Sequence, residues 1–390
     1  MSKDDEEKFV YLITPSSIKY IFTGTENMIY NYAKYLNLHG FKVSVIVPKY
    51  IHFHNHNQNT KQINTSKLVK FEDKIKIYGL FYNMFSFYFG FNSLITEHNK
   101  TIIYLPLGIY NNILNILFKF NKSIYVVGSH GLTLFDHNHV IPTHKIFERF
   151  LIAFLKLNIK LRPKHFDSIY FHTINTDQSR YLHSLGIQSD HIIYVPNFLD
   201  FKKFKINKIK SNNKLIILHI GGINKNVKAA VDLIRQLKND VLFKHLEFHF
   251  IGKNQPEALY DLSKSLKNII IHGLVDEKQK KEILSYSDVL LVPSEETFSL
   301  SALEGFANGL ICIGINNWIL RFMKNKVRGG GIYIVNFDDY KKVRTILENL
   351  LKDGIDYDKR KDIREVAKKE FDKTVVLPKI RDMFRYVAQN

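Results

Sequence analysis

The sequence predicts an α/β protein of two domains, each built on an open parallel sheet. Short β-branched or aromatic runs alternate with longer segments of helical period along the whole chain, which is typical of βαβ units. The runs are continuously apolar, as in strands that are buried on both faces of a parallel sheet. The alternation lapses once, at residues 201–214, where six lysines occur without an acidic residue. This basic stretch predicts the linker between the two domains.

The predicted strands fall into two groups on either side of the linker. They are residues 9–13, 41–47, 101–105, 123–127, 168–172 and 192–195, and then 215–220, 246–251, 288–292, 311–315 and 332–335. The predicted helices have apolar residues three and four apart. They are residues 26–38, 226–237, 276–285, 299–308 and 340–351.

The domain boundaries follow from this order. Residues 1–200 are predicted to form a Rossmann-like amino-terminal domain, and residues 215–370 a Rossmann-like carboxyl-terminal domain. Residues 371–390 are predicted to form a C-terminal helix that crosses back to the amino-terminal domain. Because ligands of open parallel sheets bind beyond the carboxyl ends of the strands, two such sheets facing each other predict a substrate cleft.

Composition narrows the class of protein. The chain has 390 residues, of which 45% are hydrophobic, so disordered and fibrous proteins are excluded. An excess of 56 Lys and Arg over 37 Asp and Glu gives a formal charge of +19, which predicts anionic partners. The motifs of a nucleic-acid-binding protein, in which basic and aromatic residues interleave, are not found. One cysteine, Cys312, and an amino terminus unlike a secretory signal favour the cytoplasm.

Two segments suggest a membrane span and a metal site, and neither is expected. Residues 77–95 form an uncharged run with eight aromatic residues, but its polar residues and glycines make a poor spanning helix. His52, His54 and His56 would share one face of a strand. No cysteine or carboxylate lies near them, so no metal is expected there.

The most specific segment is residues 293–309, directly after the predicted strand 288–292. A strand end, a polar loop and a helix that begins near Ser299 predict an anion site, because the N–H groups of residues 298–301 are free to bind a phosphate. Glu296 and Glu304 are suited to accept hydrogen bonds from sugar hydroxyls. Taken singly, Glu296 could equally be a solvated loop residue, and Glu304 an acid favoured by the helix dipole.

Glu296 and Glu304, within PSEETFSLSALEGFANG, resemble the Glu-x7-Glu element of the family 4 retaining glycosyltransferases, which have the GT-B fold of two Rossmann-like domains facing across a cleft. The sequence around Gly24 is similar to the glycine loop of that family. Residues 220–226 are similar to the loop that opens its carboxyl-terminal domain. The likeness runs from about residue 10 to about residue 385.

The resemblance implies roles for particular residues. Glu296 would contact the transferred sugar, Glu304 the ribose, and Lys225 the diphosphate, while His130 would lie beside the sugar. The implied catalytic residues are Glu296, His130 and Lys225. The amino-terminal domain would be the acceptor side and the carboxyl-terminal domain would bind the nucleotide sugar. The implied donor site consists of Gly24, Gly221, Gly222, Lys225, Phe298, Ser299, Leu300 and Glu304, and the implied acceptor contacts are Thr25 and Glu26.

The resemblance also bears on charge and cofactors. The family carries Gly-Arg where this chain has Gly221 and Gly222, so the phosphate-binding arginine is absent from its place, and Lys228 or Arg321 is the candidate to replace it. The donor would be a UDP- or GDP-linked sugar. No cofactor or metal is expected, because cationic side chains and a helix end take the role of a metal in this family.

Two stretches suggest the acceptor. Phe81, Met84, Phe85 and Tyr88 recur at helical spacing, and residues 145–164 carry six basic residues and one acid around an apolar face. Such a segment can lie on an anionic membrane, although ordinary packed helices would look the same. The first interpretation favours a lipid-linked glycan, a glycolipid or a surface polysaccharide precursor as acceptor, met at the cytoplasmic face of a membrane.

The function predicted from the sequence is a retaining, metal-independent glycosyltransferase of hexosyltransferase type. The alternative is a catalytically impaired relative that acts as a nucleotide-sugar-binding or glycan-binding module, which the missing arginine suggests. A third hypothesis, a nucleic-acid-binding protein, is supported by the net charge alone.

Overall fold

The computed structural model describes residues 9–13, 24–49, 69–71, 75–81, 101–106, 123–128, 153, 156–161, 163–206, 214–222, 225–296 and 298–390. The chain forms two compact units. The amino-terminal unit consists of residues 1–197 with residues 376–390, and the carboxyl-terminal unit of residues 198–375.

The amino-terminal unit is built on an eight-stranded sheet. Its strands are β1 (Phe9–Ile13), β2 (Lys42–Lys49), β3 (Val69–Phe71), β4 (Ile75–Phe81), β5 (Thr101–Leu105), β6 (Ile124–Gly128), β7 (Ile169–Thr173) and β8 (Ile192–Tyr194). They are arranged in the order β3-β4-β2-β1-β5-β6-β7-β8, and every pair is parallel except β3 with β4. The order reverses at β1, as in a doubly wound sheet.

In the described part of this unit, the helices are α1 (Gly24–Leu38), α2 (Pro163–Phe166) and α3 (Thr176–Ser184), and residues 156–161 are also helical. The chain's last helix, α11 (Lys373–Gln389), begins in the carboxyl-terminal unit and continues into this one. Within this unit its Phe384 packs against Phe41 and Tyr104.

The carboxyl-terminal unit has a six-stranded parallel sheet. Its strands are β9 (Leu215–Ile220), β10 (Leu246–Ile251), β11 (Ile269–Gly273), β12 (Val289–Val292), β13 (Ile311–Gly314) and β14 (Ile332–Ile334), in the order β11-β10-β9-β12-β13-β14. The helices are α4 (Val227–Leu237), α5 (Glu257–Ser265), α6 (Glu277–Tyr286), α7 (Leu300–Ala307), α8 (Trp318–Lys326), α9 (Tyr340–Asp353) and α10 (Tyr357–Phe371). This strand order is that of a Rossmann fold.

The first residues of the basic stretch pack on the carboxyl-terminal unit. Phe201 is fully buried, and Arg364 of α10 donates hydrogen bonds of 2.9 Å to the carbonyl oxygens of Phe201 and Phe204. Lys373 also forms an ion pair with Asp200, with 2.5 Å between Nζ and Oδ2. Residues 207–213 lie outside the described part of the chain.

The predicted strands and helices are confirmed, and their ends agree to within two residues. Several elements were missed, among them β11, α8 and the 15-residue α10. The strand β4 was also missed. Residues 77–81 form the end of this strand, so residues 77–95 are not one membrane-spanning helix. Within the described residues, no helix is both long and apolar enough to cross a bilayer.

Candidate active site

The candidate site lies where the strand order of the carboxyl-terminal sheet reverses. Strand β9 pairs with β10 on one side and with β12 on the other. The connections that leave β9 and β12 therefore diverge from neighbouring carboxyl ends, which is where ligands bind in open α/β sheets. The sequence predicted donor-binding residues in both connections.

Two glycine turns meet at the end of β9. Gly221 and Gly252 both have φ of +139°, a conformation that L side chains rarely adopt. A Cβ on Gly252 would lie 2.7 Å from the carbonyl carbon of Gly221, so only glycine allows the two backbones to approach this closely. Gln255 links the two turns, because its Nε2 donates hydrogen bonds to the carbonyl oxygens of Gly221 at 3.0 Å and Gly252 at 3.2 Å.

The same crossing leaves no room for a side chain at residue 222, where the resemblance predicts an arginine. A Cβ on Gly222 would overlap the carbonyl oxygen of Lys253. No side chain can be added at this position unless the backbone moves, so an arginine here is incompatible with the loop that follows β10. Neither proposed substitute is shown to take its place: Lys228 is exposed on α4, and the Arg321 guanidinium donates to Asn316.

Lys225 and Glu296 come from different connections and form an ion pair. Asn226 joins the two connections, because its Nδ2 donates a 3.1 Å hydrogen bond to the carbonyl oxygen of Pro293. Asn226 can do so in a left-handed conformation, with φ of 53°, at the N-cap of α4. Both charged side chains remain about 30% exposed, so a ligand can reach them.

The start of α7 follows Glu296 closely in the sequence, and no described residue accepts a hydrogen bond from its first two N–H groups. Ser299 is the N-cap, and its Oγ accepts from the Ala302 amide. The amides of Leu300 and Ser301 precede the first bonds within the helix and are available to an anion. Phe298 is held in place by its ring contacts with Trp318 and Phe371.

Glu304 lies farther along α7 and is largely buried. Lys280 of α6 donates a 2.7 Å hydrogen bond to its Oε1. Burial raises the pKa of Glu304 above its ordinary value, and Lys280 opposes that rise. The carboxylate predicted to bind ribose is thus paired with a lysine that the sequence did not single out.

His219 of β9 contacts the backbone of the turn that carries Lys225. It is fully buried, and its Nε2 donates to the Lys225 carbonyl oxygen at 3.4 Å. Burial is the main reason that the pKa of His219 falls to about 4.

The buried neutral His219 predicts a pH effect on stability. Because its folded pKa lies below 6.5, the unfolded chain binds the proton more tightly, and the stability that His219 contributes at pH 7 is lost as the pH falls from 6.5 towards 4. His219→Gln removes the titration. The free energy of unfolding is measured with urea at pH 7 and pH 5. Between pH 7 and pH 5, wild type should lose about 2 kcal/mol more of this free energy than the variant does. An unchanged gap would contradict the buried neutral imidazole.

The predicted site residues of the carboxyl-terminal unit lie in two neighbouring connections and one helix, and the contact seen between the two connections is the ion pair of Lys225 with Glu296. The residues are Gly221, Gly222, Lys225, Glu296, Phe298, Ser299, Leu300 and Glu304. In the amino-terminal unit, Gly24, Thr25 and Glu26 are the first residues of α1, which begins two residues before the predicted helix. His130, the three histidines at 52–56, and Met84, Phe85 and Tyr88 lie outside the described residues. Phe81 ends β4.

Sequence reasoning missed the residues that hold the site together. Asn226, Gln255 and Lys280 act through contacts with distant parts of the chain, and no local pattern marks such contacts. Among the described residues, no group of three or more His, Cys, Asp or Glu side chains could hold a metal ion.

Comparison with known families decides the nature of the carboxyl-terminal unit. Residues 214–353 match the family model of the glycosyl transferases group 1. This stretch carries a group 1 glycosyltransferase domain. The matched residues include both connections of the candidate site and the whole of α7. Assignment to family 4 in particular, with Glu-x7-Glu as its marker, remains a prediction.

Solved structures share the fold over nearly the whole chain. Sucrose-phosphate synthase from Thermosynechococcus elongatus is 14% identical with a TM-score of 0.72, over 97% of this chain and 98% of that one. A glycosyltransferase from Rickettsia africae is 16% identical with a TM-score of 0.66, over 98% and 99%. The Anabaena protein Alr3699/HepE, in complex with UDP and glucose, is 10% identical with a TM-score of 0.65, over 97% and 100%.

These likenesses confirm the predicted α/β fold of GT-B type for the group 1 domain and the rest of the chain. Among curated proteins, none matches the sequence significantly. The family match of residues 214–353 supports a glycosyltransferase, and the solved structures show the shared fold.

Proposed function

We propose that the chain is a retaining glycosyltransferase that moves a sugar from a UDP- or GDP-linked donor to a hydroxyl acceptor. The observation that carries the proposal is the Lys225–Glu296 pair, held at the strand-order reversal of a group 1 domain beside the start of α7. A cation, free helix amides and an acceptor carboxylate are the groups that a diphosphate-linked sugar needs.

Each group has a distinct part in this proposal. The Lys225 ammonium and the amides of Leu300 and Ser301 bind the diphosphate, and Glu296 accepts hydrogen bonds from hydroxyls of the transferred sugar. Glu304 accepts from the ribose. The Anabaena relative with the same fold binds UDP and glucose, which favours a nucleotide sugar of this kind.

Transfer with retention needs no protein nucleophile. The acceptor oxygen bonds to the anomeric carbon on the face from which the diphosphate departs, and the bond between that carbon and the phosphate oxygen breaks. The acceptor proton passes to the departing phosphate, so the products are a glycoside and a nucleoside diphosphate. Lys225 stabilises the charge that develops on the leaving group. We propose that no metal is required, because Lys225 and the helix amides supply the positive charge.

The proposed acceptor is a lipid-linked glycan, a glycolipid or a surface polysaccharide precursor, reached at the inner face of a membrane. Helical residues 156–161 support this choice. Leu157 and Leu161, four residues apart and therefore on one side of the helix, are 50% and 68% exposed. Lys156 and Lys160 form an adjacent exposed row. Exposed leucines beside lysines match a bilayer surface with anionic lipids.

A panel of nucleotide sugars tests the activity. The protein is mixed with UDP- and GDP-linked sugars and a crude glycolipid acceptor, and release of free nucleoside diphosphate is followed. Turnover with one donor, with the anomeric configuration kept in the product, supports the proposal. Nucleotide binding without turnover on any donor would instead favour the alternative, a catalytically impaired relative that binds nucleotide sugars or glycans.

The membrane surface has its own test. Co-sedimentation with vesicles of phosphatidylglycerol and phosphatidylcholine should be strong at low salt and weaken as salt is added. Leu157→Ser combined with Leu161→Ser should reduce the bound fraction severalfold. Leu274→Ser is the matched control, because Leu274 is 70% exposed in the carboxyl-terminal unit. Equal loss in both variants, or no binding by wild type at low salt, would refute the surface.

A further inference from the structure

We propose that Lys280 is a positioning residue for nucleotide binding, because it holds the Glu304 carboxylate in place as an ionised acceptor for the ribose hydroxyls. The inference rests on the proposed function, and it names a residue on α6 that lies outside both site connections. It is carried by the contact between α6 and α7.

The contact is a three-membered charge cluster. The Lys280 Nζ lies 2.7 Å from Glu304 Oε1 and 2.8 Å from Glu277 Oε1. Its side chain is 17% exposed and that of Glu304 13%, whereas Glu277 is 71% exposed. Lys280 therefore links a solvated carboxylate on its own helix to a buried one on the next.

Of the described residues, only Lys280 donates a hydrogen bond to the Glu304 carboxylate. The bond occupies Oε1 and fixes the orientation of the group, and Oε2 stays available to a ligand. Two ribose hydroxyls are donors, and an ionised carboxylate accepts from both more strongly than a neutral acid does.

The charge state of Glu304 depends on this neighbour. Burial raises the pKa of Glu304 and Glu277 adds to the rise, while Lys280 and Lys281 lower it. Burial also disfavours the charged form of Lys280, but the two carboxylates outweigh it and the pKa of Lys280 is raised. Without Lys280, protonation of Glu304 would begin at a higher pH, and the acid would cease to be a full acceptor.

The N-terminal capping of α6 fixes the position of Lys280, from which it donates a hydrogen bond to Glu304. Asp276 forms a capping box with Gln279, so the first turn of the helix is fixed at both ends. Lys280 lies at the end of that turn, and its ammonium contacts Glu304 of α7. The bridge is preorganised, which lowers the entropy that nucleotide binding would otherwise lose.

Calorimetric titration with UDP and GDP between pH 5.5 and pH 9 tests the inference. For the nucleotide that binds, Lys280→Met should weaken binding about tenfold at neutral pH, with a loss that grows as the pH falls. Lys280→Arg should restore both affinity and pH profile. Lys278→Met, an exposed lysine on the same helix, should match wild type.

If Lys280 had only a structural role, Lys280→Met would lower nucleotide affinity by the same factor at every pH. A disrupted site would give the same result. Glu304→Gln removes the titration, so adding Lys280→Met to it should cost little further affinity. A pH-independent loss, or an undiminished loss in the Glu304→Gln background, overturns the inference while the proposed function stands. Failure of wild type to bind either nucleotide overturns the proposed function itself.

Discussion

Replacing Lys225 with methionine is expected to lower the rate of sugar transfer by about 10²–10³-fold, because the charge that develops on the departing diphosphate loses its cation. Methionine keeps most of the length and apolar stem of lysine, so the turn at the end of β9 should survive. The measurement is release of nucleoside diphosphate with the donor chosen from the panel. Lys238→Met, an exposed lysine at the end of α4, is the matched control.

Glu296→Gln should distinguish the effect of this ion pair on nucleotide binding from its effect on the rate of sugar transfer. In the free protein Lys225 is engaged by Glu296, so a diphosphate must compete with this carboxylate for the lysine. The variant is therefore expected to bind nucleoside diphosphate at least as tightly as wild type, yet to transfer sugar about 10²-fold more slowly. If Lys225→Met retains half of the wild-type rate, or if Glu296→Gln changes neither binding nor rate, the site is wrongly assigned.

Gly222→Ala is expected to destabilise the carboxyl-terminal unit and to impair nucleotide binding severely. The added methyl group overlaps the carbonyl oxygen of Lys253, so one of the two loops must move. Overpacking of this kind costs about 1–3 kcal/mol, and the displaced loop carries Lys225. Thermal unfolding and titration with nucleoside diphosphate measure the two effects.

The control for this substitution is Gly329→Ala, where the nearest atom would lie at an ordinary 3.4 Å. Both changes reduce the freedom of the unfolded chain equally, so a difference between them reports the clash. Equal stability of the two variants, with unchanged nucleotide binding, would show that the loops do not meet as closely as described.

Much of the fold was predictable because its signals are local. A buried parallel strand such as β12 is a continuous apolar run, and a helix such as α4 repeats its apolar residues every three to four positions. The segment after β12 was also recognisable, because strand, polar loop and helix start follow one another within a few residues. Strand β11 was missed although it has five residues, the same length as β1.

The contacts of the site were less predictable, because they join residues far apart in the chain. Lys225 and Glu296 were each identified, but their ion pair and the hydrogen bond from Asn226 to Pro293 join two connections about 70 residues apart. Lys280 was not identified at all. Its spacing from Glu277 resembles any solvent-facing pair on a helix, and only the approach of α7 gives it a second partner.

The sequence by itself determined the two-part α/β organisation, the order of strands and helices, and the place of residues 293–309, the segment predicted to bind phosphate, since periodicity and turn chemistry are expressed within short stretches of chain. Only the tertiary structure decided why residue 222 has no room for a side chain, which cation faces Glu296, and which lysine pairs with Glu304. These depend on backbones and charges that folding brings together, such as Lys253 against Gly222 and Lys280 against Glu304.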